Sequence, residues 1–216
     1  MIYDLGKNNS IVNQFVSELR DAEVQKDSMR FRRNLERLGE IFAYEISKKI
    51  SYKQKNIVTP LGELDMPVIE CWPVLATILR AGLPFHQGFL NIFDKSESAF
   101  ISAYRKHHKD GSFTIQVEYV SCPNIEEKTL IVIDPMLATG SSLVLAIKEL
   151  FQFGMPKNIH IATAIASSQG IDYVRKHLPH QKTDLWVAAI DEELTAQAYI
   201  VPGLGDAGDL SFGNKE

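Results

Sequence analysis

The chain has 216 residues, of which 45% are hydrophobic, so it can bury the core of one domain of ordinary size. Its net charge of −4 argues against nucleic acid or an anionic membrane as the main partner, because both attract basic proteins. No apolar run reaches membrane-spanning length, and the first residues do not show a signal-peptide pattern. We therefore expect a soluble, cytoplasmic protein.

The chain has two cysteines, Cys71 and Cys122, and their spacing fits neither a redox motif nor a zinc site. Two buried thiols in a reducing compartment are favoured over a disulfide. His177 and His180 flank Pro179 without a third ligand, so we assign no metal-ligating residue.

The N-terminal part predicts two helices and a hairpin. Residues 11–20 and 28–50 both carry apolar side chains at helical spacing. Pro60-Leu61-Gly62 lies between short apolar runs, which is typical of a hairpin. We take residues 1–56 as an N-terminal helical part and residues 57–66 as a candidate arm that packs on another subunit.

A strand with a charged residue at its end follows. Residues 73–79 are a continuous apolar run, Arg80 comes directly after them, and residues 83–93 have a helical pattern. A guanidinium is a planar fork of donors that matches phosphate oxygens, so Arg80 is a candidate ligand of a diphosphate. Taken alone, this residue fits a surface arginine equally well.

A second hairpin is predicted from residues 99–104 and 113–120, which favour strands on either side of a polar tip. Arg105 follows the first of these strands. His107 and His108 lie among charged residues, and we interpret them as solvated rather than as acid–base groups. The pattern predicts a mobile tip.

The central stretch carries the clearest chemical signal. Residues 130–133 predict a strand that is buried on both faces, Asp134 follows, and a small polar loop leads into a helix over residues 143–153. Ser141 or Ser142 is expected to cap that helix. The first turn of a helix presents N–H groups and partial positive charge, so this loop is a candidate phosphate site.

An ordinary strand-to-helix turn with a good cap is the alternative for the same loop. Asp134 favours the ligand site, because open α/β sheets bind ligands at the carboxyl ends of their strands. Its carboxylate could hold ribose hydroxyls beside a bound phosphate.

The remaining pattern defines the fold class. Strands over residues 159–166 and 185–190, with a helix over residues 171–177 between them, continue the alternation of strand and helix. This order predicts an α/β fold with a doubly wound, mainly parallel sheet. Residues 167–170 lie at another carboxyl end and are a weaker candidate for bordering the site.

Near the C-terminal end, residues 203–208 satisfy the dinucleotide-binding pattern Gly-x-Gly-x-x-Gly. That pattern requires a preceding strand, a following helix and an acid about 20 residues further on. Because only eight residues follow Gly208, we reject this interpretation.

Four stretches, taken together, resemble the type I phosphoribosyltransferases, and their details resemble the uracil phosphoribosyltransferase branch. They are Ile78-Leu79-Arg80-Ala81-Gly82-Leu83, Tyr104-Arg105, Asp134-Pro135-Met136-Leu137-Ala138-Thr139-Gly140, and Tyr199-Ile200-Val201-Pro202-Gly203-Leu204-Gly205-Asp206-Ala207-Gly208-Asp209. Pro135 stands where most of the class have a second acid, a form that resembles the uracil branch. Two features depart from the family pattern. Ser141 replaces a glycine, which would weaken phosphate binding if the position needed a positive φ, and Lys106-His107-His108 replaces an acidic stretch.

The resemblance implies transfer of the 5-phosphoribosyl group from 5-phospho-α-D-ribose 1-diphosphate (PRPP) to N1 of uracil, giving UMP and diphosphate for pyrimidine salvage. It assigns catalytic roles to Arg80, Arg105, Asp134 and Asp206. It assigns PRPP binding to Arg80, Arg105, Asp134, Pro135, Met136, Leu137, Ala138, Thr139, Gly140, Ser141, Ser142 and Asp206. It assigns uracil binding to Ile200, Gly205, Asp206 and Ala207.

The resemblance also implies a C-terminal base-binding hood over residues 191–216, and Mg²⁺ that is bound mainly through PRPP and water. GTP is a candidate effector, and at least a homodimer is expected. Two alternatives stay open: a transferase for another base, and a non-catalytic regulatory or nucleotide-sensing protein on the same fold.

Overall fold

The computed structural model describes residues 1–107, 113–179 and 182–214, with the backbone alone described at residues 103–107 and 113–117. The α-helices of this part are α1 (Ile11–Arg20), α2 (Ser28–Ser47), α3 (Gly82–Ile92), α4 (Ser141–Leu150), α5 (Ser168–His177) and α6 (Ala207–Phe212). Its strands are β1 (Ile2–Asp4), β2 (Tyr52–Thr59), β3 (Gly62–Ile69), β4 (Val74–Leu79), β5 (Ser98–His107), β6 (Phe113–Ser121), β7 (Thr129–Ile133), β8 (Met136–Leu137), β9 (Asn158–Ser167), β10 (Thr183–Asp191), β11 (Glu193–Leu194) and β12 (Ile200–Val201).

Eight of these strands form the central sheet. The main path runs in the order β1, β10, β9, β7, β4, β5, β6, and β8 pairs with β9. Neighbours are parallel except β5 and β6, which form an antiparallel hairpin. Helices α1, α2 and α3 cover one face, and α4 and α5 cover the other. The predicted α/β fold with a doubly wound, mainly parallel sheet is therefore confirmed.

The central strand β7 shows why its apolar run has no alternation. Leu130 and Val132 pack in the cluster under α4 and α5, whereas Ile131 and Ile133 pack in the cluster under α1 to α3. All four side chains are fully buried. A strand that is covered on both faces needs an apolar residue at every position.

Most predicted elements are present, with shifted ends. The helix over residues 11–20 is confirmed at both ends, whereas α2 ends at Ser47 instead of residue 50. The hairpin of β2 and β3 spans residues 52–69, so it begins before and ends after the predicted 57–66. The elements β1, β8, β11, β12 and α6 were not predicted, because segments this short show no periodic pattern.

The expectation of two buried thiols is wrong for Cys71, which is exposed in the connection between β3 and β4. Cys122 is half-buried, and burial raises the pKa of its thiol to about 11. Both cysteines are free. Across the described ranges, no helix has both the length and the apolar character that a membrane crossing requires.

Candidate active site

The candidate site lies at one edge of the sheet, where four neighbouring parallel strands end. In spatial order these strands are β10, β9, β7 and β4. Loops follow the carboxyl ends of β10, β7 and β4 and begin at Glu192, Asp134 and Arg80, whereas helix α5 follows β9 directly from Ser168. Among the described residues, the stretches after β7 and β4 that the sequence marks as candidate ligand sites therefore lie at the edge where open α/β sheets bind ligands.

The loop of residues 138–142, called the phosphate loop below, leads into the N-terminus of α4. Gly140 is the N-cap, with φ at +80°, and no side chain caps the helix. The expected cap by Ser141 or Ser142 is therefore wrong, because Ser141 is already the first helical residue. Its hydroxyl lies 2.8 Å from that of Thr139 instead. The positive φ falls on Gly140, so the Cβ of Ser141 imposes no backbone strain.

Residues at the start of α5 pack against the phosphate loop and hold it by a hydrogen bond. Ser167 is fully buried, donates its hydroxyl to the carbonyl oxygen of Ala138 and accepts the N–H of Gly170 at 2.8 Å. A Cβ on Gly170 would lie 2.3 Å from that same carbonyl oxygen. Residues 167–170, the weaker candidate from the sequence, thus support the phosphate loop.

Asp134 lies directly after β7 and is half-buried. Burial raises the pKa of its carboxyl to about 7, and a 3.3 Å hydrogen bond from the N–H of Met136 opposes that rise only in part. Its own N–H donates to the carbonyl oxygen of Ala162 on β9, which fixes the backbone. The carboxyl can therefore change its protonation state near neutral pH, and it is placed to accept hydroxyl donors from a sugar.

Arg80 joins two of the predicted motifs. Its Nη2 donates to Asp209 Oδ1 at 3.0 Å and to the carbonyl oxygen of Gly213 at 3.1 Å, and its buried Nε has no hydrogen-bond partner in the described structure. Gly82, two residues on, lies so close to β7 that a Cβ would be 3.1 Å from the carbonyl oxygen of Ile133. The arginine loop therefore lies between Asp134 and the C-terminal segment.

The C-terminal segment 199–209, called the base loop below, reaches the same edge. A two-strand ladder of β11 and β12 introduces it, and α6 ends it. Asp206 caps α6 by accepting the N–H groups of Gly208 at 2.9 Å and Asp209 at 3.0 Å. Gly205 has φ at +93°, and the side chains of Ile200 and Ala207 are buried.

The rejected dinucleotide pattern now has a structural context. A two-residue strand precedes residues 203–208, and the six-residue α6 overlaps them. The rejection of the dinucleotide-binding interpretation stays a prediction.

The site also contains two residues that the sequence analysis did not predict. Arg20 at the end of α1 and Asp191 at the end of β10 form an ion pair against the base loop. Asp191 carries the same signal as Asp134, an acid at the carboxyl end of a buried strand. Arg20 has no comparable signal, because only the fold brings α1 to this edge.

Arg105 lies on β5, and its side chain is outside the described residues. His108 and the remainder of the predicted tip, up to residue 112, are outside them as well. The mobility of this tip and the catalytic and PRPP-binding roles of Arg105 stay predictions.

The fit of the site to Mg²⁺ can be judged from its donors. Among the described residues, no three or more His, Cys, Asp or Glu side chains come together in a way that could hold a metal ion. Pro135 stands beside Asp134 where a second acid would add a ligand. This donor set suits a Mg²⁺ ion that brings phosphate oxygens and water as its own ligands.

The parallel sheet, the phosphate loop after its central strand and the arginine loop beside it define a type I phosphoribosyltransferase. A hypoxanthine phosphoribosyltransferase from Staphylococcus aureus shares this fold with a TM-score of 0.50 at 16% identity, covering 87% of this chain and 84% of its own. A solved structure of a protein from Aquifex aeolicus superposes with a TM-score of 0.87 at 28% identity, covering 99% and 98% of the two chains.

Sequence comparison narrows the class to one family. The family model described as uracil phosphoribosyltransferase matches residues 7–214. The uracil phosphoribosyltransferase of Porphyromonas gingivalis is 55% identical over 214 residues, 99% of each chain. That of Pyrococcus furiosus is 36% identical over 210 residues, 96% of this chain and 88% of its own. The chain belongs to the uracil phosphoribosyltransferase family.

Proposed function

We propose that this chain transfers the 5-phosphoribosyl group of PRPP to N1 of uracil and releases UMP and diphosphate, as a pentosyltransferase of pyrimidine salvage. The observation that carries the proposal is the meeting of the phosphate loop, the Arg80 loop and the base loop at one sheet edge. A sugar phosphate and a pyrimidine held by these loops would lie side by side.

The donor side of the reaction uses the loops after β4 and β7. The first turn of α4 binds the 5′-phosphate, with the hydroxyls of Thr139 and Ser141 as added donors. Asp134 accepts the ribose hydroxyls, and Arg80 and Arg105 neutralise the charge that grows on the leaving diphosphate. The full PRPP contact set comprises Arg80, Arg105, Asp134, Pro135, Met136, Leu137, Ala138, Thr139, Gly140, Ser141, Ser142 and Asp206.

The acceptor side uses the base loop within the hood of residues 191–216. Ile200, Gly205 and Ala207 present backbone N–H and C=O groups to the amide edge of uracil. Cytosine is rejected, because its amino group would face a backbone donor. Asp206 lies at the boundary between the base and PRPP and contacts one of them.

The transfer is a displacement at the anomeric carbon. The bond between N1 of uracil and C1 of the ribose forms while the bond from C1 to the diphosphate oxygen breaks, and the proton of N1 passes to water. The transition state is loose and resembles an oxocarbenium ion, so no covalent nucleophile is needed. Catalysis rests on alignment of the reacting atoms and on charge stabilisation.

Mg²⁺ bound to the substrate supplies positive charge to the diphosphate oxygens. Of the carboxylates at the site, Asp134 is the one proposed to face the ribose, and it would hold the ion through water. No other residue is assigned to it.

The hairpin arm of β2 and β3 supports a homo-oligomer of at least two chains. It pairs with no other strand of the described structure, and a lone two-stranded hairpin is marginally stable in water. Ile57, Leu64, Met66 and Val68 share one of its faces in the strand register, and Leu64 and Met66 are exposed. A second copy packed on this face would cover them. The free thiols fit a cytoplasmic setting.

The test is release of diphosphate from PRPP and Mg²⁺ with uracil, cytosine, hypoxanthine or guanine as acceptor, with and without GTP. Release with uracil alone, together with UMP formation, is expected. Release with another base supports the alternative transferase, and binding of nucleotides without release from any base supports the regulatory alternative. A GTP-dependent change in rate identifies GTP as an effector.

A further inference from the structure

The base loop is tied to the body of the protein by a bidentate ion pair. Arg20 Nη1 donates to Asp191 Oδ2 at 2.9 Å, and Arg20 Nη2 donates to Asp191 Oδ1 at 2.8 Å. The Asp191 side chain is 8% exposed and that of Arg20 is 23% exposed. Such a fork-to-fork contact fixes the orientation of both groups as well as their separation.

The same pair binds both backbone polar groups of Gly203. The N–H of Gly203 donates to Asp191 Oδ2 at 3.0 Å, and its carbonyl oxygen accepts Arg20 Nη1 at 3.1 Å. Gly203 is buried with φ at +55°, and a Cβ there would lie 2.2 Å from the carbonyl oxygen of Ile200. Two hydrogen bonds, to side chains that two further hydrogen bonds join to each other, therefore hold residue 203 in a backbone position that only glycine fits.

This anchored residue lies inside the segment that reads the base. Gly203 follows Ile200 and precedes Gly205 and Ala207, the residues proposed to contact uracil through their backbone. A side chain can adjust to a ligand by changing rotamer, but a backbone N–H or C=O points where the chain directs it. Backbone recognition therefore needs an anchor close by, and the ion pair supplies it.

The register of the sheet places this anchor beside the anchor of the phosphate loop. Asp191 is the Cα partner of Ser167 in the pairing of β10 with β9. Ser167 holds the carbonyl oxygen of Ala138 in the phosphate loop, and Asp191 holds the N–H of Gly203 in the base loop. The two anchors are thus neighbours across one strand spacing, about 4.8 Å.

We propose that Arg20 and Asp191 are positioning residues, which set the distance between the base and the sugar phosphate by fixing the base loop to the sheet beside the phosphate loop. This inference rests on the proposed transfer reaction. Reacting atoms must approach to about 3–3.5 Å, and a misplacement of about 1 Å can cost a factor of about 100 in rate. An anchored pair of loops holds N1 of the base at that distance from C1 of the ribose.

The test compares steady-state kinetics of Arg20→Ala, Asp191→Ala and the double variant with the wild type. Each single variant is expected to raise KM for the base at least 10-fold and to lower kcat about 10- to 100-fold, with KM for PRPP changed less than 3-fold. The double variant should be no worse than the poorer single variant, because both residues serve one network. Arg20→Lys keeps the charge without the fork and should fall between wild type and Arg20→Ala.

The matched control is Arg30→Gln. Arg30 on α2 forms an ion pair of 3.0 Å with Glu18 on α1, and the contacts described for Arg30 do not include the base loop. It should lose thermal stability without changing either KM. If Arg20→Ala and Asp191→Ala behave like this control, or raise both KM values equally, the positioning role is refuted.

Failure of the proposed function is recognised separately, in the wild type. If the wild type uses another base, the same KM comparison is made with that base, and the positioning role is confirmed or refuted there. If no base supports diphosphate release, both proposals are overturned.

Discussion

Asp134 and Arg80 lie on neighbouring loops of the site but in different electrostatic surroundings. Asp134 is half-buried after β7, and burial raises the pKa of its carboxyl to about 7. Arg80 is paired with Asp209 at 3.0 Å, with side chains exposed by 37% and 31%. The site thus combines a carboxyl group, that of Asp134, which is easily protonated, with a guanidinium, that of Arg80, which Asp209 of the base loop holds in place.

The raised pKa of Asp134 predicts a pH-dependent stability. Between the ordinary pKa of an aspartate and about 7, the folded protein binds a proton that the unfolded chain has lost, so stability falls as pH rises through this window. Asp134→Asn removes the effect. The free energy of unfolding of the variant, relative to that of the wild type, should rise by on the order of 2 kcal/mol from pH 5 to pH 8. Urea unfolding of the ligand-free proteins at both pH values measures this, and an equal difference at the two values would contradict it.

Arg80→Ala should lower kcat/KM about 100- to 1,000-fold, because losing one preorganised donor to a developing negative charge costs about 2.7–4 kcal/mol. Diphosphate release measures it. Arg33→Ala is the control, since Arg33 is ion-paired with Glu36 on α2 and should retain wild-type turnover. Half or more of the wild-type activity in Arg80→Ala would remove this residue from the mechanism.

At the scale of elements, the phosphate loop depends on one backbone conformation. Gly140 turns the chain into α4 with φ at +80°, and a Cβ there would lie 2.9 Å from the carbonyl oxygen of Gly170 and 3.2 Å from Tyr173. The loop is therefore confined between the left-handed turn and the start of α5. In the proposed function, this geometry contributes more to phosphate binding than the side chains of the loop do.

Gly140→Ala should raise KM for PRPP at least 10-fold and leave KM for uracil within about 3-fold, because the strained turn redirects the N–H groups of the first turn. Initial rates measured over a range of PRPP and uracil concentrations give the two KM values. Gly154→Ala is the matched control: Gly154 has φ at +121° beyond the other end of the same helical segment. It should lose stability with an unchanged KM for PRPP, and equal KM effects in both variants would contradict the assignment.

At the scale of the whole molecule, the parallel sheet sets the geometry of the site and leaves the arm outside it. Four adjacent strands bring their carboxyl ends to one edge, so the loops that follow meet without long connections. The arm of β2 and β3 forms a separate two-stranded sheet with exposed apolar side chains. In the proposed homo-oligomer, a second copy of the chain covers these exposed side chains.

Leu64→Asp combined with Met66→Asp should weaken that assembly about 100-fold or more, because each buried apolar side chain of this size contributes about 1.5–3 kcal/mol. Sedimentation over a range of concentrations measures the change. Val58→Asp lies on the opposite face of the hairpin in the register and serves as control. An unchanged molar mass in the double variant would place the subunit contact elsewhere.

The sequence by itself determined the fold class and the separate motifs of the site. Residues 130–133 could be read as a fully buried strand because a doubly covered strand tolerates no polar residue. The phosphate loop and the base loop could be predicted as ligand sites because each is a continuous stretch whose residue types form a recognisable motif. Periodicity and local motifs are properties of neighbouring residues, so one sequence suffices to show them.

Only the tertiary structure decided how these motifs are joined. The cap of α4 depends on the φ of Gly140, which Gly170 and Tyr173 constrain from a distant part of the chain. The ion pair of Arg80 with Asp209 joins residues 129 positions apart in the sequence, and that of Arg20 with Asp191 joins residues 171 positions apart. Such contacts leave no local pattern, because they depend on strand order and register, and these are set by the packing of the whole sheet.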